Sequence, residues 1–226
     1  MNSRVIYLFS WIITIITPLL LIGLALRILL TPLFLQVEYR TPYFPSDEYG
    51  FSQADRLHWS RFAIDYLLLD VDNSYLGDLE FEDGSPLYSQ RELQHMDDVK
   101  CIVQHTLQIW YITLTIATVL GFWSWRSGWF SDYLKGLQRG GWLMIGMATL
   151  VGLIAALGIG LNPEIFWGFF TGFHRLFFEG NSWLFAYSDT LIRLFPIRFW
   201  QDAFLLSAIL TSGGGLLLVL GINLKS

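Results

Sequence analysis

Along the chain, four long apolar runs alternate with two polar or aromatic insertions and one short basic connector. The apolar runs cover 5–35, 101–125, 141–161 and 200–223. Each has about the 20 residues that a helix needs to cross a hydrocarbon layer of about 30 Å, so each predicts a transmembrane helix. Pro18 and Pro32 each follow a threonine and are expected to kink or end the first run. That run is too long, and too lacking in a small-residue cleavage site, to be a secretory signal peptide. In the fourth, Ser212-Gly213-Gly214-Gly215 is expected to let a neighbouring helix approach closely.

Between the runs, the pattern changes. Residues 36–100 carry fourteen acids and five bases, a segment too long for a bare connector and expected to fold as a cap. Within it, 52–69 has helical apolar spacing, while Gly77, Gly84 and Pro86 mark 70–88 as turns with a short hairpin. Ser89 and Glu92 fit a capping box, so a helix is expected to start there and run on into the second span. Residues 126–140 form the short connector, and 162–199 a second insertion dense in aromatics.

Composition sharpens this into a membrane fold. Of 226 residues, 54% are hydrophobic and only 15% charged, against about a quarter charged in soluble domains. The expectation is an all-α polytopic membrane protein: four transmembrane helices with an extracytoplasmic cap. Four spans put both termini on one side, together with Arg4, Arg126, Lys135, Arg139 and Lys225. The positive-inside tendency makes that side the cytoplasm of a cell membrane, although Arg175, Arg193 and Arg198 fall on the other. A net charge of −5 argues against a nucleic-acid partner. Cys101, the single cysteine, excludes an internal disulfide and a multi-cysteine metal site. The residues before it, Asp98-Val99-Lys100, do not suit a lipoprotein processing site, so it reads as a structural thiol.

Two histidines then stand out. His95 lies about 9 Å above the second apolar run if the helix is continuous, which is headgroup depth. It is either an interfacial residue that solvates the helix end or a titratable base at the level of a lipid ester. Asp98, three residues on, is adjacent to it on a helix surface, and Asp97 is expected to face water. His174 sits in FWGFFTGFHRLFF, seven aromatics in thirteen positions, either an amphipathic anchor or a segment packed at the interface. Arg27, near the outer end of the first span, either snorkels to headgroups or pairs with Asp189, Asp202 or a substrate carbonyl. His58 and His105 read as structural, His105 lying about 15 Å below His95 along the helix. No serine-hydrolase elbow, zinc-protease pair, phosphate loop or dinucleotide fingerprint is present. What remains is histidine acid–base chemistry on an amphiphilic lipid substrate.

Glu92-x-x-His95-Met96-x-Asp98-Val99-Lys100, then Phe173-His174-x-Leu176-Phe177-Phe178, Trp183, Asp189, Leu191-Ile192 and Pro196, resemble the bacterial lipoprotein intramolecular transacylases. The likeness covers nearly the whole chain in layout; the segment 36–88 carries no matching motif. The resemblance implies transfer of an acyl chain from the sn-2 ester of a diacylated lipoprotein to the α-amine of its N-terminal cysteine. It implies His95 and His174 as the catalytic pair, with neither assigned as acid or base, and no metal or cofactor. Asp98, Arg27 and Asp189 are then the candidates for orienting or oxyanion-steadying roles. Phe170, Phe173, Phe177 and Trp183 are expected to shape the substrate pocket. The alternatives are a histidine-dependent lipid or lipoprotein esterase, and a non-enzymatic membrane subunit whose cap docks a partner.

Overall fold

The computed structural model of the chain describes residues 2–223; Lys225, counted above with the basic side, lies outside them. In chain order the helices are α1 (Ser3–Leu29), α2 (Pro32–Glu38), α3 (Gln53–Leu68), α4 (Ser74–Gly77), α5 (Gln90–Arg126), α6 (Phe130–Gly160), α7 (Pro163–Phe177), α8 (Thr190–Leu194) and α9 (Ile197–Asn223). Among the described residues there is no strand, only a bridge between Glu80 and Pro86. Four helices, α1, α5, α6 and α9, are long and apolar enough to cross a membrane. Leu8, Val119, Leu150 and Leu217 expose their side chains on these helices. Such an apolar exterior suits lipid, not water. The fold is that of an all-α, multi-pass membrane protein.

Local chemistry explains where the helices start and stop. Pro18 is absorbed inside α1, whereas Pro32 begins α2. There Thr31 is extended (φ −128°, ψ 147°) and its hydroxyl accepts Phe34 N–H at 3.3 Å. Ser52 and Asp55 close a reciprocal capping box on α3. The connector expected at 126–140 is far shorter in the structure. Ser127-Gly128-Trp129 makes the turn, with Gly128 at φ +76°, and α6 begins at Phe130. Its charges mislead because they share the first turns with Phe130, Tyr133 and Leu137, whose spacing is helical. Asp132 and Lys135 pair across that exposed face at 3.4 Å.

The chain forms two compact units. One gathers the residues up to Ile28, Thr106–Leu153, and the chain from Phe204 onward. Its core packs Ile13, Ala117, Leu120, Trp129 and Tyr133. Two glycine contacts set the helix spacing. A Cβ on Gly140 would lie 2.4 Å from the Thr17 Cβ, and one on Gly215 would lie 2.7 Å from the Gly141 carbonyl oxygen. The glycine run expected to admit a neighbour therefore does so on α6.

The other unit holds Leu29–His105 and Ile154–Ala203. In it α3 packs on α2, α4 and α8. Arg56, 5% exposed, donates from Nε to Arg193 O at 2.9 Å, and Arg193 pairs with Asp47 at 3.0 Å. The Arg193 guanidinium lies 3.5 Å from the Phe51 ring centroid. Arg193 is thus paired with a carboxylate and Arg56 is hydrogen-bonded to backbone carbonyls, Pro45 O among them, which is what makes their burial tolerable.

Candidate functional site: a histidine pair in an aromatic box

His95 is placed by α5 and His174 by α7. The start of α5 is held by Glu92, whose Oε2 accepts Ser89 N–H at 2.8 Å, while Glu92 N–H donates to Ser89 Oγ at 3.4 Å. The other oxygen, Oε1, accepts Leu191 N–H at 2.8 Å and so fixes the start of α8 to the same turn. His95 follows one turn later. α7 is capped by Asn162, whose side chain accepts Glu164 N–H, and begins at Pro163. Its buried residues are Phe166, Phe170 and His174, a strict four-residue stripe.

These two elements bring the imidazoles to 6.5 Å between ring centroids, with their planes 22° apart. Each histidine is 8% exposed. Around His174 stand Phe170 at 4.0 Å, Trp183 at 4.8 Å, Phe178 at 5.6 Å and Phe173 at 5.8 Å. Around His95 stand Phe178 at 4.8 Å and Phe185 at 5.3 Å. Arg91 holds this wall closed, its guanidinium 5.2 Å from Phe185 and its NH2 group donating to Asn181 O at 3.1 Å.

The hydrogen bonds distinguish the two rings. His174 Nδ1 lies 2.8 Å from Phe170 O. A carbonyl oxygen only accepts, so Nδ1 carries the hydrogen and Nε2 keeps its lone pair. Burial holds the His174 imidazole below its ordinary value of 6.5, partly offset by the bond to Phe170. Hence it is neutral and basic at physiological pH. His95 Nδ1 is buried and has no hydrogen-bond partner among the described residues. The same holds for Trp183 Nε1.

The supporting residues expected from sequence are placed otherwise. Asp98 is half-buried and makes no hydrogen bond to His95, whose Nδ1 stays unpaired. Asp97, expected to face water, instead accepts from the Tyr66 hydroxyl and from Asn73 Nδ2. Asp189 Oδ2 accepts Ala186 N–H at 2.8 Å. It lines a cavity of about 470 Å³ with Tyr88, Glu92 and Arg193 that contains neither histidine. Arg27 is half-exposed and forms no ion pair among the described residues, and Asp202 is taken by Arg198 at 2.6 Å. Of the four pocket candidates, Phe170 and Trp183 are buried against His174, and Phe173 touches it while 39% exposed. Phe177 packs on Phe173 at 5.0 Å and is 47% exposed. Its neighbour Phe178 is the residue that meets both imidazoles; continuing the Phe166–Phe170–His174 stripe by four picks it out. His58 and His105 are both exposed.

One acid went unnoticed in the sequence. Glu38 is 3% exposed and its Oε1 has no hydrogen-bond partner. Burial, then the nearby Asp202 carboxylate, push its carboxyl up to about 8 against the pull of Arg198.

Comparison with known proteins bears on the same arrangement. A protein of Aquifex aeolicus (strain VF5), described only as uncharacterized, is 30% identical over 219 residues, spanning 94% of this chain and 92% of its own. The in meso structure of the membrane integral lipoprotein intramolecular transacylase Lit from Bacillus cereus superposes with a TM-score of 0.77 over the whole of both chains, at 20% identity. That likeness establishes the fold. The family model described as lipoprotein intramolecular transacylase Lit matches residues 9–200, which include both histidines and the box around them, and the chain belongs to that family.

Proposed function

We propose that the protein moves an acyl chain within one substrate molecule, from the sn-2 ester of a diacylglyceryl lipoprotein to the α-amine of its N-terminal cysteine. The product is a lyso-form lipoprotein. The observation that carries this reading is the pair His95 and His174, from distant segments, 6.5 Å apart in a wall of aromatic side chains. Nothing but side chains is needed for the chemistry, because nucleophile and ester belong to the same molecule.

The two rings divide the work. An α-amine of pKa about 8 attacks as the free base and sheds a proton as the C–N bond forms. His174 Nε2, with its lone pair fixed by the Phe170 carbonyl, takes that proton. Burial, then the neighbouring His174, push the His95 imidazole down to about 4, so it is neutral and serves as a relay. It takes up the proton from His174 on one ring nitrogen as it gives the proton on the other to the departing glyceryl oxygen. Net, one proton passes from nitrogen to oxygen as the C–O bond breaks. Phe170, Phe173, Phe177, Phe178 and Trp183 hold the acyl chain and keep out water, which limits simple hydrolysis. Bringing the two ends of one substrate together contributes several kcal/mol to the rate, on the order of other intramolecular reactions.

The site belongs at the outer water interface of the cell membrane, with both termini cytoplasmic. Arg4, Arg126, Lys135 and Arg139 support that orientation through the positive-inside tendency. The test is mass spectrometry of a purified diacyl lipoprotein incubated with the protein in lipid vesicles. Transfer conserves total mass and yields an amide at the cysteine nitrogen. Release of free fatty acid with loss of acyl mass overturns the proposal in favour of an esterase. No conversion at all overturns it in favour of a non-enzymatic role.

A further inference from the structure

Trp183 is 5% exposed, and its indole Nε1 is buried without a hydrogen-bond partner among the described residues. An indole N–H is a donor only; it has no lone pair to turn toward another donor. Buried donors in folded proteins are almost always paired, so one left unpaired beside a pair of imidazoles calls for an acceptor that arrives from outside the chain. Its ring centroid is 4.8 Å from that of His174 and 6.5 Å from that of Phe170. The walls around it are phenylalanine and histidine rings. His95 Nδ1 is likewise unpaired, so the two atoms do not satisfy each other.

We propose that the Trp183 Nε1–H donates a hydrogen bond to the carbonyl oxygen of the substrate ester as that oxygen becomes the tetrahedral oxyanion. This rests on the acyl-transfer reading above. When the amine nitrogen bonds to the carbonyl carbon, the C=O π pair moves onto oxygen, which turns into a stronger acceptor for such an N–H. On collapse the pair returns, the bond to the glyceryl oxygen breaks, and that oxygen takes up the proton that nitrogen has lost. A donor fixed in advance in a water-poor box needs no reorganisation at that moment, and such donors favour the oxyanion over the ground-state ester. Trp183 is then a catalytic residue, and its partnerless state in the chain alone is the condition for the role.

The experiment replaces Trp183 by 3-benzothienylalanine, which keeps the bicyclic ring and puts sulfur where the N–H was, with Trp183→Phe as a second variant. Wild type, His95→Ala and His174→Ala run in parallel, in vesicles, with conversion of a diacyl lipoprotein read by mass spectrometry. The expected result for the analogue is a fall in kcat of about 10²–10³-fold, as for other single oxyanion donors, with KM unchanged. Its thermal midpoint holds or rises, because a donor with no partner in the fold contributes nothing to the fold's stability. Trp183→Phe falls as far in kcat and also loses stability through lost ring volume. An analogue with kcat within twofold of wild type overturns the proposal, and so does a fall in kcat matched by a fall in midpoint. If wild type converts substrate and the histidine variants do not, while the analogue is fully active, only the Trp183 role is lost. If wild type converts nothing, the acyl-transfer reading falls and this role falls with it.

Discussion

His174 carries the clearest prediction of any single residue. Burial holds its imidazole below 6.5, so the basic form is present above that lowered value and is lost only as pH falls through it. The substrate amine titrates near pH 8. Between about pH 6.5 and 7.5, log(kcat/KM) should therefore rise with a slope of one, set by the substrate alone. A slope approaching two across that window would mean that a group of the protein titrates there as well, and would contradict a His174 imidazole held below its ordinary value. Glu38 gives the opposite sign. Its folded pKa, about 8 against the usual 4.5, means that the native state keeps a proton the unfolded chain releases. Stability present below about pH 4.5 is then lost as pH rises towards 8. Glu38→Gln should raise the thermal midpoint in micelles at pH 8 by about 2–4 °C, the gap closing by pH 5; a variant less stable than wild type at pH 8 contradicts this. The histidines were legible because each sits in a short motif of its own. Glu38 was not, since its raised pKa depends on burial by the folded chain and on Asp202 and Arg198 from α9, far along the sequence. Asp98 misled for a related reason. Three-residue spacing makes a carboxylate and an imidazole neighbours on a helix, but the His95 ring is turned among Phe178 and Phe185, which local spacing does not reveal.

Among the elements, the joint between α5 and α8 has the largest consequence. The capping box at Ser89 and Glu92 is readable from four residues of sequence, and the structure has it. What the sequence does not disclose is the second oxygen, which accepts Leu191 N–H and ties two helix starts to one buried carboxylate. Glu92→Ala leaves Ser89 N–H, Leu191 N–H and a cavity behind, at a cost of about 2–3 kcal/mol. The expected thermal midpoint is about 5–10 °C lower. Glu92→Gln keeps one carbonyl oxygen for Leu191 and should lose roughly half as much. Equal losses for the two variants would show that charge, not the count of acceptors, holds the joint. The same change displaces His95, one turn away, so activity at a temperature where both variants are folded should fall in the same order. α6 shows the limit of reading by composition. A window containing Arg126, Lys135 and Arg139 reads as a connector, yet after a three-residue turn the interleaved aromatics carry the helix on.

For the whole molecule, the number of spans was legible and the side each end faces was not. Four apolar runs of sufficient length leave little choice of fold, because backbone groups in lipid must be paired within the segment. Orientation rests instead on a modest excess of bases, and Arg175, Arg193 and Arg198 count against it. Two of those three are spoken for inside the fold: Arg193 pairs with Asp47 at 3.0 Å and Arg198 with Asp202 at 2.6 Å. A cation already neutralised by a protein carboxylate offers less to the charge bias than Arg126, which is exposed and stacks on Phe122 and Trp125. The weighting therefore favours the turn Ser127–Trp129 on the cytoplasmic side. Cysteine labelling decides it. In a Cys101→Ala background, needed because Cys101 is exposed, Glu82→Cys should react with a membrane-impermeant maleimide on intact cells. Ser127→Cys should react only after permeabilisation. The reverse pattern would put the histidine pair on the cytoplasmic face. A mature lipoprotein's N-terminal cysteine is not presented there, so that single result would remove the substrate as well as the topology.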